Sequence, residues 1–306
     1  MIGNRLKFGQ TIGVVAPASP EEHTVIKEKL NILEQLGFKI KEGSQLYSRT
    51  GYLAGEDKDR ADDLTNMFSD KTVDAVLCFR GGYGTMRMLQ YLNFDIIRQN
   101  PKIFVGFSDI TTLLNLFYKK SGLITFHGPM ANSNLENKDT LNSFLQTLMD
   151  GVTPYIIKNP KDCPLDFKNF EKSVTGKIVG GNLSLICSTI GTKYEIDTDD
   201  KILFIEDVSE PPYKLDRLFT QLILSGKLKK CRGIILGQFS DCELPHYERS
   251  FTLEEVLQDR IINLGIPTCS NFMSGHGSPK LTLPIGAKAS LDPYNSFIEI
   301  LEPVVK

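Results

Sequence analysis

Over the first 130 residues, short apolar runs alternate with stretches of helical periodicity, which restricts the fold more than any other feature of the chain. "TIGVVAP" (11–17), "VDAVLCF" (73–79), Ile103 to Phe107 and "LITFHGP" (123–129) are apolar and rich in β-branched or aromatic residues, as buried strands are. Between them, "EEHTVIKEKLNILEQLG" (21–37) carries an amphipathic helix that Gly37 stops, with a shorter strand "FKIKEGS" after it. "EDKDRADDLTNMFSD" is a polar-faced helix, a further helix runs from about Thr85 to Leu92, and Ile110, Leu113, Leu114 and Phe117 recur at helical spacing. Strands alternating with helices predict an α/β fold, its parallel sheet covered on both faces and joined by right-handed crossovers. Such sheets bind ligands outside the carboxyl ends of their strands. "FRGGYG" (79–84) and "GFSD" (106–109) both fall at that edge.

The pattern weakens over 151–174, where prolines and mixed charge suggest a connection, and it becomes strand-rich beyond. The expected layout is an α/β domain over 1–150, a linker over 151–174 and a β-rich domain over 175–306, consistent with 306 residues. A net charge of -2 gives no expectation of nucleic acid as a partner. No apolar run reaches the ~18–20 residues that cross a bilayer, so no membrane partner is expected. "MIGNRLKFGQ" lacks the apolar core of a signal peptide, and the six scattered cysteines form no C-x-x-C; a cytoplasmic setting is expected. His23, His127, His246 and His276 lie far apart without H-E-x-x-H, so no metal is expected.

Ser108 occupies the corner where the fourth strand breaks into a helix. It reads either as an N-cap or as a nucleophile that the corner projects outward, with helix amides aimed at a developing oxyanion. "GFSD" lacks the second glycine of G-x-S-x-G and is not a strict α/β-hydrolase elbow. "FRGGYG" is a tight turn or a loop whose amides, such as that of Gly82, point into a cleft; it matches neither the Walker nor the G-x-G-x-x-G spacing. Glu206 ends the apolar run "LFIED", and His276 stands between two glycines in "SGHGSPKLTLPIGA". His127 is the rival base, and Cys78 would serve a cysteine-dependent amidotransferase-like enzyme, though it lies within a strand rather than at a corner.

"CFRGGYGTMRML", "VGFSD", "TFHGPM", "GGNLSLI", "LFIEDVSEPPYKLDR", "IILGQF" and "SGHGSPKLTLPIGA" together resemble the LD-carboxypeptidase family, serine peptidases typified by muramoyl-tetrapeptide carboxypeptidase. The resemblance spans nearly the whole chain, with the motifs in the family's order. It implies a flavodoxin-like N-terminal domain and a smaller β-rich, α+β C-terminal domain, with a triad drawn from both. Ser108 would be the nucleophile, His276 the base, Glu206 its orienting acid, and the amides of Gly82 and Asp109 the oxyanion hole. Arg80 is a candidate for the substrate's terminal carboxylate, since guanidinium pairs bidentately with carboxylate, or a structural ion pair at the loop base. Asn182 of "GGN" is a further candidate substrate contact. The resemblance also implies a homodimer, no metal or other cofactor, and a murein tetrapeptide substrate that loses its terminal D-alanine. A related branch cleaves microcin-type peptide–nucleotides and stacks the nucleobase on an aromatic residue; this chain has no Trp, and Val179 stands where many members carry one. The alternatives are therefore that second substrate class, or a non-catalytic protein that binds ligand in a cleft.

Overall fold

The computed structural model describes residues 1–244, 248–294 and 297–306, so His246 lies outside the described residues. The chain divides into two compact units. The first comprises 1–153, 282–286 and 303–306; the second comprises 154–281 and 287–302.

The first unit carries the predicted parallel sheet: β1 (Thr11–Val15), β2 (Lys39–Glu42), β3 (Ala75–Cys78), β4 (Ile103–Gly106) and β5 (Thr125–His127). Their spatial order is 2-1-3-4-5, the flavodoxin-like arrangement, and all four contacts are parallel. β3, β4 and β5 are buried throughout, as a sheet covered on both faces requires. β2, "KIKE", is a mostly exposed edge whose charged side chains discourage pairing with another chain. The helix Thr111–Ser121 is pinned to the sheet by aromatic packing. Phe117 on that helix lies 4.9 Å from Phe104 of β4 and 5.6 Å from Phe68 of the helix Asp57–Ser69 (ring centroids). The helix start, and so the Ser108 corner, is thereby fixed relative to the strand.

The sheet has a sixth strand that the order of strands and helices did not suggest. Leu283–Ile285 pairs antiparallel with β5 at the far edge. Pro284 is tolerated there because an edge position does not need its missing N–H. Gly286, at φ +93°, follows; a side chain there would run into the Tyr118 ring.

The second unit holds an eight-stranded mixed sheet: β6 (Tyr155–Ile157), β7 (Asp166–Lys168), β8 (Val174–Asn182), β9 (Lys201–Val208), β10 (Gly233–Ser240), β11 (Thr268–Ser270), β13 (Lys288–Leu291) and β14 (Ile298–Ile300), where β12 denotes Leu283–Ile285 of the first sheet. β8 to β11 are parallel and are linked through the helices Leu183–Thr189, Pro212–Leu224 and Leu253–Arg260. β13, β14 and β6 add antiparallel on one side and β7 on the other. Residues 151–174, expected to be a connection, thus contribute two edge strands. Their short runs, "YII" and "DFK", are legible as strands only once partners are present. Likewise 282–286 and 303–306, expected in the second domain, cluster with the first unit: the former holds the strand that pairs with β5, and the latter is tied by backbone hydrogen bonds to Gly3, Arg5 and Gly151.

Candidate active site

β4 ends at Gly106, Phe107 is extended, and Ser108 then takes φ +63° before a single 3₁₀ turn (Ser108–Ile110) leads into the helix. A left-handed conformation costs an L-residue about 1–2 kcal/mol, and such strain at a corner is the geometry of a nucleophile elbow. The N-cap reading fails: no side-chain cap bond closes either the 3₁₀ turn or the helix. The missing second glycine has a local explanation. Ile110 stands in its place, and a Cβ at Gly106 would fall 2.6 Å from Ile110 Cγ2. The first glycine therefore makes room for the residue that replaces the second.

The "RGGYG" loop passes directly beside this corner. A Cβ built on Gly81 would lie 2.8 Å from Ser108 Cβ and 3.0 Å from its Oγ, so only glycine permits the approach. Gly82 (φ +117°) and Gly84 (φ +131°) shape the loop. Three side chains hold it. Ser19 Oγ accepts from the Tyr83 amide at 3.1 Å. The buried Arg60 donates to the carbonyls of Gly84 (3.1 Å), Gly55 (3.3 Å) and Pro17, and to Asp57 (2.6 Å). Asp109 Oδ2 accepts from the Thr85 amide at 2.8 Å, while the Thr85 hydroxyl donates to the Asp109 carbonyl at 2.7 Å. Burial pushes the Asp109 carboxyl up to about 6, against the Thr85 bonds and the Arg60 charge. Asp109 thus ties the serine corner to the glycine loop. Among the described residues, the Gly82 and Asp109 amides donate to no backbone carbonyl.

In the second unit Glu206 is 0% exposed in β9, and its Oε2 lies 2.7 Å from His276 Nδ1. Nδ1–H donating to the carboxylate leaves Nε2 with its lone pair, the tautomer a general base needs. His276 retains 17% of its side-chain exposure, so the ring is reachable. Both flanking glycines are sterically required. A Cβ at Gly275 (φ +145°) would sit 3.1 Å from Glu206 Oε2, and one at Gly277 would sit 2.8 Å from Gln238 Nε2. The loop is stapled by Leu281 N to Met273 O (2.8 Å), Ser274 Oγ to Leu281 O (2.7 Å) and Gln238 N to Ser274 O (2.9 Å). Lys280 donates its buried ammonium to the Gly275 carbonyl.

Other candidates are placed differently. Arg80 is engaged by Glu21 Oε2 at 2.9 Å, the structural ion pair weighed as its other reading. Asn182 caps the helix Leu183–Thr189 through Leu185 N (3.2 Å) and donates to Asp207 Oδ1 at 2.9 Å, within the buried interior. His127 is fully buried in β5 with its ring 5.9 Å from that of Phe107. Burial raises the Cys78 thiol well above its ordinary value, which makes it a poor nucleophile. Among the described residues, no group of three or more His, Cys, Asp or Glu side chains could hold a metal ion, and no helix is long and apolar enough to cross a membrane. Ser19, Arg60 and Lys280 escape sequence reading. Only the first has a local signal, "APASP" directly after β1, because polar groups beyond a parallel strand's carboxyl end face the ligand edge.

The family descriptions "LD-carboxypeptidase N-terminal domain" and "LD-carboxypeptidase C-terminal domain" match residues 12–128 and 175–291. The probable murein peptide carboxypeptidase of Bacillus subtilis is 43% identical over 94% of this chain and 90% of its own length. The murein tetrapeptide carboxypeptidase of Pseudomonas aeruginosa is 31% identical over 92% of each. Among solved structures, a microcin C7 self-immunity protein in complex with adenosine monophosphate superposes with a TM-score of 0.92 at 28% identity, covering both chains fully. With both domain descriptions matched in order and relatives this similar along nearly the full length, the chain belongs to the LD-carboxypeptidase family.

Proposed function

We propose that this protein is a serine-type LD-carboxypeptidase that releases the terminal D-alanine from murein tetrapeptides during cell-wall recycling, in the cytoplasm and as a homodimer. The observation that carries this reading is Ser108, held at φ +63° at the carboxyl end of β4 against the glycine loop. The Glu206–His276 pair supplies the matching base. Ser108 Oγ attacks the carbonyl of the L-configured diamino acid while His276 Nε2 takes its proton. The amides of Gly82 and Asp109 receive the oxyanion. His276 then gives the proton to the departing D-alanine amine, and water, deprotonated by the same imidazole, hydrolyses the acyl-enzyme. Glu206 orients the ring and stabilises the imidazolium. Exopeptidase action also needs a cation for the free carboxylate. Arg80, which meets Glu21 through Nη1, would turn its other guanidinium donors to that carboxylate.

The test is D-alanine release from disaccharide tetrapeptide. Ser108→Ala and His276→Ala should each lower turnover by roughly 10⁴–10⁶-fold, with the double variant little worse than either. Turnover near that of the wild type in either single variant removes the mechanism. A peptidyl-nucleotide run alongside addresses a second reading, peptide–nucleotide hydrolysis, which the 0.92 match to the microcin C7 self-immunity protein favours. The 43% identity to a murein peptide carboxypeptidase argues for the first. A purely ligand-binding protein would bind saturably and resist a serine-directed phosphonylating probe.

A further inference from the structure

Lys280 is 6% exposed, deep for an ammonium. It donates to the carbonyl of Gly275, the residue immediately before His276. Gly275 in turn packs so closely on Glu206 that a Cβ there would stand 3.1 Å from Oε2, the oxygen that holds His276. Glu206 is itself fully buried and, among the described residues, its second oxygen, Oε1, has no hydrogen-bond partner. A buried carboxylate with one hydrogen bond is expensive unless a cation lies nearby.

We propose that Lys280 is a positioning residue for the reaction: its ammonium fixes the Gly275–His276 backbone and brings a positive charge to the buried Glu206 beneath the imidazole. The role has a built-in pH limit. Burial pushes the Lys280 ammonium down to about 8, with the Glu206 charge opposing that fall. Above that pH the group becomes neutral, and both the donor strength toward Gly275 and the positive charge are lost. Among the described residues, the other buried groups of this unit whose titration is shifted do not reproduce this limit. Asp207 is a carboxyl raised by burial, with Glu206 adding to the rise, and burial pushes the Cys242 thiol up to about 11. Glu210 is paired with Lys214 at 3.2 Å. In the first unit, Lys102 is also pushed down to about 8 by burial, so variants at 280 rather than the wild-type profile alone decide the matter.

This inference rests on the reading of His276 as the base, and the experiment separates the two. Two measurements are made on the full chain: pH profiles of kcat/KM for D-alanine release, and the side-chain titration of Lys280 by NMR on lysine-labelled protein, assigned with Lys280→Met. The wild type should lose activity above pH ~8. Lys280→Arg keeps its charge there and should extend activity toward pH 9, even if its plateau is lower. Lys280→Met should lose roughly 10-fold or more at all pH values and show no limb near 8. Glu206→Gln should move the Lys280 titration to lower pH. A limb shared unchanged by wild type, Met and Arg variants overturns the proposal, as does a Lys280 that titrates near 10 and ignores Glu206→Gln. Coupled titration without any D-alanine release would instead overturn the peptidase reading.

Discussion

Asp109→Asn tests the physical account of the serine corner most directly. The Asp109 carboxyl is 1% exposed, accepts from the Thr85 amide, and is pushed by burial from 3.8 to about 6. A carboxyl that holds its proton more tightly when folded favours the folded state fully below pH 3.8. That advantage is lost as pH rises through about 6. The two values lie about two pH units apart, and at ~1.4 kcal/mol per unit the wild type forfeits about 3 kcal/mol across that window. Asn cannot ionise, yet its Oδ1 can still accept from Thr85, so the variant should not show this loss. Its absolute stability carries an extra contribution from the new amide N–H groups, worth about 1–3 kcal/mol if they stay unpaired, which does not depend on pH. The quantity to measure is therefore the difference between the two proteins as a function of pH. Denaturant unfolding at half-unit steps from pH 4 to 7 should show the variant gaining about 2–3 kcal/mol on the wild type. All other titrating groups are common to both chains and cancel. Parallel curves would mean that Asp109 is ionised without penalty, and that burial is not what ties the corner to the glycine loop.

Two further outcomes follow from the geometry. Ser108→Gly removes the left-handed penalty of about 1–2 kcal/mol but frees the unfolded chain by about 0.5–1, so it should be roughly 0.5–1 kcal/mol more stable than Ser108→Ala, with both inactive; a less stable glycine variant in thermal or denaturant unfolding would show the corner to be unstrained. Gly275→Ala places a Cβ 3.1 Å from Glu206 Oε2 at φ +145°, and should cost about 1–3 kcal/mol and on the order of 10²-fold in kcat; unchanged values in unfolding and D-alanine release would refute the close approach.

The corner at Ser108 was legible because two local signals meet there: an apolar strand that ends at Gly106 and helical spacing that begins at Ile110. His276 stood apart from His127 only through the family resemblance, and the packing of Glu206 and Gln238 against its two flanking glycines was not legible at all. Arg80 and Asn182 show where such reading ends. Each has the chemistry of a substrate contact, but Glu21 and Asp207, distant in sequence, had already engaged them. A side chain's chemical type is local information; its partner is not.

By itself the sequence determined the parallel α/β sheet of the first unit, since periodicity reports which faces of each segment are buried whatever lies across from them. It also carried the motifs through which the chain resembles the LD-carboxypeptidase family. Tertiary structure alone decided that Leu283–Ile285 closes the first sheet while Lys288–Leu291 joins the second, because the pairing energy of a short strand depends on which edge is open. It decided too that Arg60 and Asp109 are buried beside the glycine loop of the first unit and Lys280 beneath the His276 loop of the second. Burial and partner distance set the energy of a charge, and neither is written in the order of residues.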